Sequence, residues 1–241
     1  MVVPSSPFLA RSRHVSLAMM FKTNSPFKSL IPSLALIAIS LLPACQSVYY
    51  GTMEKFGYEK RDILVDRVGD ARKVQENAKE QFASALEQFI AVTNYDGGDL
   101  ERQYRNLKGE YEDSQSRADS VRERIAAVER VATDLFIEWE KELTQYTSQE
   151  LRRGSQRQLN ATRTRYKQLL RAMKRAERKM DPVLSAFRDR VLFLKHNLNA
   201  RAVAALRTQR ASIEADITLL IKDMNRSIAE ADRFIKEMSS S

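Results

Sequence analysis

The sequence predicts an all-α protein, an elongated antiparallel helical bundle or coiled coil of about four long helices. Three observations predict it. Glycine and proline are scarce, seven and six in 241 residues, and Pro182 is the only proline after position 44. Ala, Glu, Arg, Gln and Leu, all strong helix formers, recur throughout the rest of the chain. Apolar residues return at alternating steps of four and three, which is the spacing of a coiled-coil seam.

Each element follows from that spacing. The first segment sets Leu64, Val68, Ala71, Gln75, Ala78, Phe82, Ala85, Phe89 and Val92 on one stripe. The second is the most regular, running Leu100, Tyr104, Leu107, Tyr111, Ser114, Ala118, Val121, Ile125, Val128, Ala132, Leu135, Trp139. The third reads Leu159, Thr162, Tyr166, Leu169, Met173, Ala176, Met180. The last reads Ile213, Ile217, Leu220, Met224, then Ile228, Ala231 and Ile235 after a one-residue slip.

The breaks are legible as turn chemistry. Residues 94–99 hold Asp96, Gly97 and Gly98, with Asp99 a natural N-cap. Thr147 to Ser155, with Gly154, forms a second break. Asp181 before Pro182 predicts a kink or restart. Asn197 and Asn199 form a third turn, since Asn tolerates the left-handed conformation. Helices are therefore expected near 55–93, 99–146, 152–196 and 200–238. Their similar lengths and short turns favour antiparallel neighbours. A three-helix bundle with a projecting hairpin is the alternative.

Residues 1–44 have a different character. A dozen apolar residues follow Lys22 and Lys28, with no acid, and end at Leu42, Pro43, Ala44 and then Cys45, the only cysteine. The run is shorter than the roughly 20 residues of a spanning helix and has the layout of a secretory signal. Met20 is a plausible true start. Residues 45–58 follow as a short tether carrying Tyr49, Tyr50, Phe56 and Tyr58, and 59–241 as the helical domain. Loss of residues 1–44 removes Arg11, Arg13, Lys22 and Lys28 and lowers the formal charge by four, from +9 to +5.

The segment from Leu42 to Cys45 resembles the lipobox of bacterial lipoproteins. The resemblance implies that Cys45 becomes the mature N-terminus, with lipid on its sulfur and its amine. An aspartate after that cysteine marks retention at the inner membrane in this family. Gln46 stands there instead, so the resemblance implies the periplasmic face of the outer membrane. The stretch Tyr49 to Val68, supported by Leu194 to Asn199, also resembles the lipoprotein family known as domain of unknown function 2959. That likeness implies a helical envelope protein of a two-membrane bacterium and carries over no catalytic residue, ligand or partner.

Chemistry is sparse in the residues. His196 is the only histidine past the leader and sits beside a turn, where it caps carbonyls more readily than it acts as a base. No catalytic residue, metal ligand set, glycine-rich phosphate loop or cofactor is assigned, and an enzyme with a cryptic carboxylate pair ranks last. Charge is the uneven feature. Residues 151–180 carry eleven bases against Glu177 alone, while 99–146 carry twelve acids against eight bases. Arg163, Arg165 and Lys179 flank the seam and are expected to face acids on neighbouring helices. With Leu159 at a heptad a position, Arg157, Lys167, Arg171, Lys174 and Arg178 fall at b and f and are expected to form a solvent-facing basic stripe.

The expectation is a lipid-anchored structural or adaptor protein of the envelope, not an enzyme. It would bind a helical partner or an anionic component: lipid, lipopolysaccharide or peptidoglycan. A self-associating membrane scaffold is the alternative. Nucleic acid is excluded as a partner by the export signal.

Overall fold

The computed structural model describes residues 60–239. The leader, Cys45 and the aromatic tether lie outside the described residues. Five helices pack together, and no strand occurs among the described residues: α1 (Lys60–Thr93), α2 (Leu100–Leu143), α3 (Gln149–His196), α4 (Ala200–Thr208) and α5 (Arg210–Ser239). At 1.5 Å per residue the 48 residues of α3 run about 72 Å.

The first turn forms as its residues dictate. Gly97 and Gly98 take φ values of 146° and 111°, which a Cβ would oppose. Asp99 then accepts the N–H of Arg102 at 2.9 Å and caps α2. No base lies in the last turn of α1. Arg207 of α4 supplies one instead, donating Nε to the Thr93 carbonyl at 2.9 Å, and Arg210 donates to Asn94 Oδ1 at 3.1 Å.

Three of the expected breaks are corrected. The second break spans 144–148, not 147–155. Ser148 accepts the N–H of Leu151 and starts α3 there, so Gly154 is helical. A cap before a run of good helix formers outweighs the roughly 1 kcal/mol that glycine costs relative to alanine. Pro182 neither ends nor restarts a helix, because α3 runs through it. The Arg178 carbonyl loses its usual donor, but Pro182 is on an exposed face where water serves. Asn197 and Asn199 form the third turn with φ of −139° and −149°, not in the left-handed region, and Asn199 caps α4 through the Ala202 N–H. Gln209 adds a break that the seam spacing does not announce. Its N–H bonds back to Leu206 and Arg207 carbonyls, tightening the chain for one residue.

Packing follows the seams. α1 lies against α2 and α5, α3 lies against the same two, and α4 closes one end. All nine seam positions expected in α1 are buried, Gln75 included. The one-residue slip in α5 does not occur. Ser227 occupies the seam fully buried, followed by Ala231, Phe234 and Met238. Ile228 and Ile235 flank that line. Phe89 of α1 meets Phe187 of α3 edge to face, centroids 6.1 Å apart, so the apolar core is continuous across the helices.

Candidate anion-binding groove

The polar rim of α3 is built by its heptad register. Seam residues Leu159, Thr162, Leu169, Met173, Ala176 and Met180 point inward and are buried. The flanking e and g positions then face the neighbouring helices. Arg163 bonds Glu140 of α2 at 2.6 Å and stands over the Phe136 ring, 5.1 Å from its centroid. Arg165 bonds Glu237 of α5 at 2.8 Å, and Lys179 bonds Asp223 of α5 at 2.7 Å. These are the three cations expected to face acids. The hydrogen bond from Arg163 holds the Glu140 carboxyl below its ordinary pKa.

The five residues of the expected stripe divide. Lys174 departs from the reading, because it bonds Glu129 of α2 at 2.9 Å and Glu177 at 3.1 Å. A b position lies on the e side of the wheel, so a long ammonium chain reaches the acid-rich neighbour. Desolvation lowers the Lys174 pKa, but the bonds to Glu129 and Glu177 outweigh it and leave the value raised. Arg157, Lys167, Arg171 and Arg178 are exposed. None of the four has an ion pair among the described residues.

Arg171 belongs to a constellation that the stripe did not include. Together with Gln168, Ala172 and Arg175 of α3, and Arg226, Glu230 and Arg233 of α5, it lines a hollow of about 360 Å³ between the two helices. Among the described residues only Arg233 of these has an ion pair, with Glu230 at 3.4 Å. Four guanidiniums thus line one groove with a single carboxylate among its lining residues. Each presents a planar fork of donors matched to phosphate or carboxylate oxygens.

Sequence reasoning missed Arg175, Arg226 and Arg233, since they are separated by about 50 positions and lie on different helices. The signal was present in the cross-helix pairs. Arg165 meets Glu237 and Lys179 meets Asp223, so fourteen positions up α3 correspond to fourteen down α5. That register sets 171–175 opposite 227–231.

Two further hollows lie near the α2–α3 connection. One, of about 460 Å³, is lined by Gln149, Arg152, Arg153, Gln156 and Arg157. The other, of about 710 Å³, includes Lys60, Trp139, Tyr146, Leu151 and Arg157. Among the described residues, no three His, Cys, Asp or Glu side chains gather as a metal site, and no helix is long and apolar enough to cross a membrane. His196 ends α3 exposed.

No curated protein and no solved structure matches the chain. Residues 49–238, the greater part of the chain and all but the last described residue, match a single family, and the chain belongs to it: protein of unknown function (DUF2959).

Proposed function

We propose that this protein is a lipid-anchored adaptor of the bacterial envelope, an antiparallel four-helix bundle held by lipid on Cys45 at the periplasmic face of the outer membrane. Its role is to hold an anionic envelope polymer in the arginine groove between α3 and α5. The bundle reading is supported by cross-helix bonds whose numbering rises on one helix as it falls on the other. Gln81–Glu110 and Gln88–Gln103 join α1 to α2 in this way, Lys174–Glu129 and Arg163–Glu140 join α2 to α3, and the two pairs above join α3 to α5. The anchor is supported by the lone Cys45 after a short apolar run with a positive flank.

The observation that carries the function is the groove itself. Arg171, Arg175 and Arg226 are brought together without an ion-pair partner among the described residues. Like charges gathered at one place repel, and a polyanion relieves that repulsion.

The test is capture of envelope polymers by the full lipidated protein. Arg171→Glu, Arg175→Glu and Arg226→Glu together are expected to weaken capture roughly a hundredfold, at about 1 kcal/mol per basic residue. The exposed positions leave helicity unchanged. Undiminished capture refutes the groove's role. Palmitate labelling lost in Cys45→Ser supports the anchor, and an unlabelled parent protein refutes it.

A further inference from the structure

We infer that the α2–α3 connection docks on the anionic headgroup surface of the bilayer that holds the Cys45 lipid, an inference that rests on the lipid-anchor reading above. Three large apolar side chains stand in solvent close to this connection. Ile137 and Leu151 are each 62% exposed, and Tyr146 is 42% exposed. Beside them, Arg152, Arg153 and Arg157 line the 460 Å³ hollow on the first turns of α3. The nearby acids are Glu138, Glu142 and Glu150, of which Glu138 is held by Lys60 at 2.6 Å. Tyr146, Leu151 and Arg157 line one hollow, and Arg157 shares the next with Arg152 and Arg153, so an aromatic ring, an aliphatic side chain and guanidiniums form the residue mix of a lipid–water boundary. The apolar groups enter the acyl edge, and the arginines meet phosphates.

Exposed apolar residues alone do not select this end. Leu192, Phe193 and Leu198 are exposed at the opposite end of α3, beside Lys195. Chain length decides between them. The Lys60–Glu138 bond places the start of α1 near the end of α2, on the α2–α3 side. Fourteen residues separate Cys45 from Lys60, a span of at most about 50 Å when fully extended. α1 is itself 34 residues, or about 51 Å. A lipid on Cys45 therefore reaches the plane of the α2–α3 connection with slack, and the plane of Leu198 only at full extension.

Trp139 is the only tryptophan of the chain and shares the 710 Å³ hollow with Tyr146 and Leu151, so its emission reports on this patch. The test uses the full lipidated protein reconstituted into vesicles of phosphatidylglycerol with brominated acyl chains, and separately of brominated phosphatidylcholine. Trp139 emission is expected to shift to the blue and lose intensity in phosphatidylglycerol only. Leu151→Asp with Arg153→Glu is expected to restore the emission while the protein still floats with the vesicles and keeps its helical circular dichroism. A relocated reporter, Trp139→Phe with Leu198→Trp, is expected to stay unquenched. Flotation with an unquenched Trp139 overturns the docking and leaves the anchor standing. So does equal quenching by phosphatidylcholine, or quenching of the Leu198→Trp reporter instead. A parent protein that carries no lipid and does not float overturns the anchor reading, and this inference with it.

Discussion

Tyr166 shows how one residue couples the seam to the charged rim. It is a seam position on α3, half-buried, with its ring edge to face against Phe136 at 5.5 Å. Burial, and then the negative field of Glu129, push its phenol pKa from 10.0 up to about 12. The sign follows directly. A raised folded-state value favours the neutral phenol in the fold, so its stability is complete below pH 10 and is lost as pH rises from about 10 towards 12. The raised Lys174 value acts in the same direction. Tyr166→Phe is therefore expected to flatten the alkaline loss of thermal midpoint over that window and change little at neutral pH. An identical alkaline profile in parent and variant refutes the assignment. Most of the seam at this scale was legible, because apolar spacing alone selects it. Gln75 and Ser227 show the limit. Gln75 was placed on the seam correctly, whereas Ser227 was passed over by an expected one-residue slip. Both are fully buried with side-chain polar atoms that have no hydrogen-bond partner. Position in the register decided their burial, and side-chain chemistry did not.

At the scale of the element, the sequence showed where helices pause and misjudged what stops them. Asp99 and the two glycines were read correctly, since an N-cap and positive φ are local demands. Gly154 was given too much weight, because the Ser148 cap starts α3 ahead of it and Trp139 donates to Ser155 just after it, and the restart expected at Pro182 does not occur, because packing holds α3 on either side of the proline. Buried residues such as Met173, Met180, Phe187 and Val191 keep α3 on the core across the proline. The proline is consequently a cost that the helix tolerates. Pro182→Ala restores a donor to the Arg178 carbonyl on an exposed face, and alanine is favoured over proline by up to about 3 kcal/mol in a helix interior. The variant is expected to raise the urea midpoint without changing the slope of the transition. A lower midpoint would mean that Pro182 sets a bend on which the packing depends. The Gln209 break escaped notice for the opposite reason. No turn residue marks it, and its cause is distant: Arg207 and Arg210 are drawn to the end of α1.

At the scale of the molecule, stability and recognition draw on different forces, and ionic strength separates them. The core is a continuous apolar cluster running through all five helices, and apolar burial does not weaken with added salt. Most of the ion pairs lie at or near the surface. Arg72–Asp232 and Arg165–Glu237, for example, have side chains about half exposed, and such pairs contribute roughly 0–1 kcal/mol each. The groove is the opposite case, since its attraction for a polyanion is almost wholly electrostatic. The basic bias of α3 was visible in the sequence as a count, but the groove was not, because it needs α5 placed against α3 in register. Screening shortens from about 10 Å at 0.1 M salt to about 3 Å at 1 M. Raising salt across that range is expected to abolish capture of anionic polymer while shifting the thermal midpoint little. Capture that survives 1 M salt would assign recognition to the exposed apolar residues, and a collapse of the midpoint would mean that the surface ion pairs carry the fold.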